Sequence, residues 1–185
     1  MNIFILNEDP VLAARDYCNK HVVKQILETA QMLCTAHWIG WQKMRKVDIS
    51  LKRDDFINQL RSEIDPRLQP PWKMTHANHP CTQWAQRCWG NYMWLSLHGL
   101  AMCDEYTLRY GKIHKSHEVH RWLNRVIPPT FEGVTESPNG ITPFAVCMPD
   151  NYKIPSDPVQ SYRNYYKGSK SSFAKWPEGK QPSWW

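Results

Sequence analysis

Residues 9–37, DPVLAARDYCNKHVVKQILETAQMLCTAH, carry the pattern of one amphipathic helix. Asp9 is a favoured N-cap residue, and Pro10 fits the first helical position, where its missing N–H has no partner to lose. Apolar side chains then recur every three or four positions, apart from one longer gap, and predict a buried face. That face comprises Leu12, Cys18, Val22, Ile26, Thr29, Leu33 and Ala36. We therefore expect a helical protein organised around this segment.

Further structural elements are predicted on both sides of this segment. Residues 3–6 are apolar but too few for a helix, and predict a strand or an extended arm. Further helices are predicted at 54–63, at 80–110 ending at Gly111, at 116–125, and at 159–167 closed by Gly168. Residues 127–157 are rich in Pro, Gly, Thr, Ser and Asn, and predict a long ordered loop. We interpret 39–75 as an insertion and 158–185 as a basic, aromatic C-terminal segment. The expected fold is mainly α, a compact single-domain helical bundle over 1–185.

Composition excludes several classes of protein. The chain has 185 residues, 42% of them hydrophobic and 22% charged, which is typical of one globular domain and not of a disordered chain. No apolar run is long enough to span a bilayer, and the acidic N-terminal stretch is unlike a signal peptide, so we expect a cytoplasmic protein with no membrane partner. Six cysteines without a C-x-x-C pair predict buried thiols, with no metal site. Phosphate-binding glycine loops are absent, so we expect no cofactor.

A polar stripe on the first helix contains the candidate catalytic residues Lys20, His21, Lys24 and Glu28. Residues three and four apart are neighbours on a helix, so two amines, an imidazole and a carboxylate share one face. An amine beside a carboxylate can attack a sugar carbon and form a Schiff base, while the carboxylate stabilises an oxocarbenium-like centre. The alternative is a solvated charged face.

Basic and aromatic residues predict a nucleic-acid partner. The net charge is +6, and residues 158–185 alone hold five basic side chains against one acidic one. Such a surface suits phosphates and stacked bases. The candidate binding residues are Arg109, Lys112, His114 and Lys115 after the central helix, and Tyr162, Arg163, Tyr165, Tyr166, Lys167, Lys175 and Trp176 near the C-terminus. Two alternatives stay open: cations that complement a helix dipole, and an aromatic plug that closes the core. Histidines spaced by three at 114, 117 and 120 straddle a helix start, which favours phosphate contact over metal binding.

The C-terminal element YRNYYKG at 162–168 resembles the W-Y-K-Y-Y-G element of the phage pyrimidine-dimer DNA glycosylase (endonuclease V) family. The order of an extended N-terminal arm, a first helix with polar groups and a long aromatic-rich central helix is also similar. This resemblance covers about 1–30, 76–112 and 160–168. The segment NKHVVK at 19–24 further resembles the D-K-H-V-V-K motif of small phage-borne proteins of unassigned role.

The resemblance implies an amine nucleophile and a carboxylate partner. That family is known for using the amine of its processed N-terminal residue, with a glutamate on the first helix beside it. Here Asn2 is too large for the usual removal of methionine, so Met1 is the candidate amine. No glutamate lies at 20–24, and Glu28 lies one turn later. The resemblance therefore supports DNA binding more directly than base excision.

These observations predict a DNA-binding enzyme, similar to a DNA glycosylase or lyase, that acts on a base or its glycosidic bond in duplex DNA with a damaged or modified base. One alternative is an enzyme that modifies a nucleotide or base without excising it. Another is a non-catalytic DNA-binding or phage accessory protein. The sequence does not specify the base or the oligomeric state.

Overall fold

The computed structural model describes residues 2–48, 50–131 and 140–185, and it confirms a helical architecture. The α-helices in these ranges are α1 Pro10–Asp16, α2 Asn19–Arg45, α3 Arg53–Glu63, α4 Pro80–Arg87, α5 Trp89–Tyr110, α6 His117–Arg125 and α7 Pro158–Lys170. Short 3₁₀ turns occur at Pro66–Leu68 and Asp150–Tyr152, and no β-strand is found within the described ranges. The candidate amine of Met1 and residues 132–139 of the predicted loop lie outside the described residues.

The predicted first helix is two helices, α1 and α2. Its start is confirmed, because the Asp9 carboxylate accepts hydrogen bonds from the backbone N–H groups of Val11 at 2.8 Å and Leu12 at 2.9 Å. The break at Tyr17 was not predicted. The Arg109 guanidinium there binds the carbonyls of Tyr17 at 2.7 Å and Arg15 at 3.0 Å. These carbonyls bond to a side chain of another helix, so the chain turns before α2 begins.

The predicted helix at 80–110 also divides, into α4 and α5. Cys88 is extended between them, and the Asn91 side chain donates to the carbonyl of Trp84 at 2.7 Å. Gly90 opens α5 beneath the chain at Gly140, where a Cβ atom would lie 1.8 Å from the Gly140 carbonyl oxygen. The glycine therefore allows two backbones to pack together, and the helix breaks beside this contact.

The end of α5 follows the prediction, since Gly111 adopts a left-handed φ of 64° and donates to the carbonyl of Thr107. Helix α6 is close to its predicted bounds. It packs on α5 at Gly99, where a Cβ atom would lie 2.3 Å from the His120 ring. The His120 Nε2 atom is 2.8 Å from the carbonyl oxygen of Ile26 in α2. The buried His120 imidazole of α6 thus contacts both α2 and α5.

Helix α7 is longer than predicted. It continues through Gly168 to Lys170, because Gly168 packs against the Tyr152 ring and does not end the helix. The following segment lies on the body of the protein. The indole N–H of Trp176 donates to the backbone carbonyl of Asp16 at 2.9 Å. The indole N–H of Trp184 donates to the carboxylate of the same residue at 2.7 Å.

The main core lies around α2 and α5 and includes residues 3–6, which form an extended arm without strand pairing. A smaller apolar cluster joins the end of α2 to α3 and contains Trp38, Trp41, Val47, Phe56, Ile57, Leu60 and Ile64. Helix α2 runs through position 39 without interruption, so the segment 39–75 does not start at a structural boundary, and its origin as an insertion stays a prediction. No helix among the described residues has the length and apolar character needed to cross a membrane.

Candidate active site

The polar stripe of α2 forms the floor of a cleft of about 450 Å³. This volume is in the range of roughly 300–1,000 Å³ that is common for small-molecule sites. The lining residues are Asn2, Phe4, Lys20, His21, Lys24, Gln25, Glu28, Cys147, Tyr165, Lys170 and Phe173. The four candidate catalytic residues within the described chain therefore share one cleft. Two wider clefts, of about 890 and 830 Å³, have mainly apolar linings.

Glu28 supplies the carboxylate of this cleft. Its side chain is 11% exposed, and its Oε1 atom lies 3.2 Å from the ammonium of Lys24, which is 62% exposed. The pair spans one helical turn, so α2 itself sets this distance. A buried carboxylate thus lies beside an amine that reaches solvent.

His21 is buried between the arm and α7. Its ring stacks on Phe4 with centroids 4.5 Å apart, and its Nδ1 atom forms a short hydrogen bond with the Tyr166 hydroxyl. Burial, together with the nearby charges of Lys170, Lys24 and Lys20, lowers the pKa of His21 to about 4. The imidazole is therefore neutral at pH 7, and the positive charge of the cleft comes from its lysines.

Aromatic rings hold two of these lysines. The Lys20 Nζ atom lies 4.7 Å from the centroid of Phe173, and Lys170 Nζ lies 4.4 Å from that of Tyr165. Lys170 also donates to the Tyr165 hydroxyl at 3.1 Å. Such cation–π contacts position each ammonium above a ring face. The cleft thus combines fixed positive charge with aromatic surface.

Gln25 is a site residue that the sequence reasoning missed. It is only 3% exposed, and its Oε1 atom has no hydrogen-bond partner among the described residues. A buried amide oxygen without a partner is costly, which points to a ligand or solvent donor in the cleft. The signal was present in the sequence, because Gln25 lies four residues after His21 and three before Glu28.

The predicted cluster after α5 is only partly at the surface. Lys112 and Lys115 are exposed, and His114 is half-buried and accepts from the backbone N–H of Ser116 at 3.1 Å. Arg109 is different: its side chain is 3% exposed and forms an ion pair with Glu105 at 3.0 Å. Since Arg109 also caps α1, it is a structural residue in this conformation, contrary to its prediction as a DNA contact.

The C-terminal candidates divide in the same way. Tyr162 and Tyr166 are fully buried, so neither reaches a partner in this conformation, which corrects their prediction as DNA contacts. Tyr165 lines the cleft, and Lys167 and Lys175 are exposed. The two remaining candidates, Arg163 in α7 and Trp176 in the segment after it, are half-buried. Arg163 donates to the carbonyl of Leu6 at 3.0 Å and lies over the Trp184 ring.

The sequence matches the family described as pyrimidine dimer DNA glycosylase over residues 1–119. The chain belongs to this family. Membership gives it a DNA glycosylase-like role at family level and makes DNA its class of substrate. The matched region of this glycosylase-family chain includes the α2 side of the cleft. It excludes Tyr165, Lys170 and Phe173, which close the other side. Comparisons with curated proteins and with solved structures found no match.

The α7 side of the cleft was also incompletely predicted in this glycosylase-family chain. Lys170 and Phe173 lie in the basic aromatic segment, but only Tyr165 of the three α7-side residues is among the sequence candidates. Phe4 was predicted only as part of an apolar arm, although its ring contacts His21 inside the cleft. Aromatic residues are common in cores, so composition alone does not distinguish Phe4 and Phe173 from core residues.

Proposed function

We propose that this chain is a DNA glycosylase and lyase that receives a damaged pyrimidine nucleotide in the α2 cleft. The observation that supports this most directly is the juxtaposition of amines, one buried carboxylate and aromatic rings in a cleft of about 450 Å³. Family membership supplies the class of reaction. Enzymes that act on a base take it out of the helical stack, and this requires a pocket beside a positively charged surface.

The cleft matches the chemistry of such a nucleotide. The Lys170 ammonium suits its phosphates, as do Lys20 and Lys24 where they are not the attacking amine, and the Tyr165 and Phe173 rings offer faces for stacking. The unpartnered Gln25 Oε1 atom can accept a hydrogen bond from the N3–H group of a thymine. Lys167 and Lys175, exposed on the same C-terminal segment, are proposed to contact the flanking DNA backbone.

The proposed reaction begins with an amine that attacks C1′ of the deoxyribose. A bond forms between the amine nitrogen and C1′ as the glycosidic bond breaks. The electron pair of the glycosidic bond leaves with the base. The base nitrogen takes a proton from the amine. Opening of the sugar ring, with uptake of one further proton at O4′, leaves a protonated Schiff base. Glu28 stabilises the positive charge that develops at C1′.

Three amines are candidates for the attacking group. Lys24 is the one seen beside the Glu28 carboxylate, Lys20 lines the same cleft, and the amine of Met1 stays a prediction from the family resemblance. His21 is a positioning residue in this proposal, because a neutral imidazole bonded to Tyr166 fixes the start of α2 against α7.

Borohydride trapping tests the proposal. The purified chain is incubated with a duplex that contains one cyclobutane pyrimidine dimer, with and without borohydride, which reduces a Schiff base to a stable secondary amine. We expect a covalent protein–DNA complex with the damaged duplex and none with the undamaged one. Mass spectrometry of the digested complex then identifies the attacking amine among Met1, Lys20 and Lys24.

Two variants compare a lysine of the cleft with a lysine outside it. Lys24→Ala removes a cleft amine, while Lys52→Ala removes an exposed lysine before α3 and serves as the matched control. Binding without a covalent complex or strand cleavage on any damaged duplex would contradict the proposal and favour a non-catalytic protein. A base of altered mass that stays attached to its strand would instead indicate modification without excision.

A further inference from the structure

Three potential metal ligands come together beside the cleft, at the start of α4. The Sγ atoms of Cys81 and Cys147 lie 3.5 Å apart, and these atoms and a ring nitrogen of His79 all lie within 4.8 Å of one another. The Asn2 Oδ1 atom is 3.5 Å from the Cys81 Sγ atom. Two thiols and an imidazole nitrogen thus lie close together, and an amide oxygen lies beside one of the thiols.

These distances are close to those that a tetrahedral metal ion imposes. With Zn–S bonds of about 2.3 Å and Zn–N bonds of about 2.0 Å, neighbouring donor atoms lie roughly 3.3–3.8 Å apart. The two sulfur atoms already satisfy this spacing. The imidazole needs a shift of at most about 1.5 Å, which a side-chain rotation provides.

The surrounding hydrogen bonds fix the cysteines in this arrangement. The Cys147 backbone N–H donates to the Tyr162 hydroxyl at 3.1 Å, and the Cys147 carbonyl accepts from the Asn2 amide at 2.8 Å. Tyr162 is fully buried and also donates to Asn2 Oδ1 at 2.9 Å. Outer-shell bonds of this kind orient ligands in metal sites. The site is therefore built before any ion arrives.

His79 has a tautomer that suits the same role. Its Nδ1 atom accepts from the Cys81 backbone N–H at 3.2 Å, so in the neutral ring the proton lies on Nε2. The Nδ1 lone pair thus points to the Cys81 backbone at the N-terminal end of α4. A metal ion there would replace this long hydrogen bond with a coordinate bond.

We propose that His79, Cys81 and Cys147 bind a thiophilic metal ion, with Zn²⁺ as the expected occupant. Two sulfurs and one imidazole nitrogen are ligands that zinc favours, and Asn2 Oδ1 or a water completes four-coordination. The ion has a structural role. It joins the N-terminal arm, α4 and the segment before α7, three parts of the chain that are distant in sequence. Asn2 and Cys147 also line the α2 cleft, so the ion holds one wall of it.

Metal content and cobalt spectroscopy test this site without any assay of DNA cleavage. The full chain is purified under reducing conditions, stripped with a chelator, and titrated with Zn²⁺ or with Co²⁺. We expect about one equivalent of ion per chain. We expect the Co²⁺ form to show sulfur-to-cobalt charge-transfer absorption together with the intense visible bands of a tetrahedral site. Bound Zn²⁺ should also protect the partly exposed Cys147 from alkylation.

Substitutions locate the ligands. Cys81→Ser and Cys147→Ser should each abolish stoichiometric binding, and His79→Ala should weaken it by at least about 100-fold, since loss of an outer-shell partner alone costs 10–100-fold. Cys88→Ser is the matched control, because its thiol donates to the carbonyl of Gly140 and a hydroxyl can do the same.

The alkylation result needs no variant, so it decides the question even if a substituted chain fails to fold. Absence of bound metal in the reduced wild-type chain would overturn the proposal. So would equal labelling of Cys147 with and without Zn²⁺, or binding that Cys81→Ser leaves unchanged. A Cys81–Cys147 disulfide that forms in preference to metal binding, seen as two fewer titratable thiols, would also count against it.

Discussion

Substitution of Glu28 by glutamine separates the chemical role of this carboxylate from its contribution to stability. The amide keeps the shape of the side chain and removes its charge. The ion pair with Lys24 spans 3.2 Å, but the lysine is 62% exposed, so solvent screens the interaction and its loss should cost at most about 1 kcal/mol of unfolding free energy. A carboxylate that stabilises charge at C1′ is worth more. Loss of a positioned acid or base typically costs at least about 100-fold in rate, or about 2.7 kcal/mol of barrier.

The assay measures three quantities on the same preparations. Single-turnover cleavage of a pyrimidine-dimer duplex gives the rate, titration of the duplex gives affinity, and urea unfolding gives stability. We expect Glu28→Gln to lose at least about 100-fold in rate and to keep its affinity and most of its stability. Glu118→Gln is the matched control, because Glu118 pairs with Arg121 at 3.1 Å on the exposed face of α6. A Glu28→Gln chain within about threefold of wild-type activity would refute the assignment.

Three further predictions follow from the charges and contacts of the chain. Duplex binding should be micromolar or tighter and weaken steeply with salt. Lys167→Ala should lower the salt slope of binding by about one. Arg163→Ala should mainly lower the melting temperature, because the guanidinium contacts the Leu6 carbonyl and the Trp184 ring. Salt-independent binding would contradict the first part. Gly99→Ala should destabilise the fold by about 1–3 kcal/mol in urea unfolding, because the new Cβ atom would lie 2.3 Å from the His120 ring. An unchanged unfolding midpoint would show that the ring moves freely. Chiefly through burial, the pKa of His21, like those of His98 and His120, is lowered from 6.5 to about 4. The unfolded chain therefore binds more protons between these values, and the unfolding free energy should fall as the pH drops through that window; equal stability at about pH 7.5 and about pH 5 would contradict this.

The sequence predicted the helices best where local signals are strong. Asp9-Pro10 and Gly111 mark helix ends through their own side-chain and backbone properties, and both ends are found where the sequence places them. The breaks at Tyr17 and Cys88 could not be predicted in this way. Each depends on a side chain that is distant in sequence or on a close backbone contact, such as Arg109 binding the carbonyl of Tyr17.

The candidate site, like the helices, was predicted only where the relation between residues is local. Helical spacing was enough to place Lys20, His21, Lys24 and Glu28 on one face, because that relation is local. Spacing could not reveal that Lys170 lies over the same cleft, or that Cys147 lies 66 residues away from a cysteine that it touches. Burial explains the residues that were assigned the wrong role. Tyr162 and Arg109 have the chemistry of DNA contacts, but the fold uses them as internal hydrogen-bonding partners.

The hydrogen bond between His21 and Tyr166 ties the beginning of α2 to a residue that the ribosome adds 145 positions later. Helix α2 and its stripe of lysines can form early in synthesis, yet the cleft has no second wall until α7 and Phe173 have emerged and docked. A nascent or prematurely terminated chain would therefore display a basic helix without an organised cleft. The emergence of α7 and Phe173 is thus the step that completes the cleft.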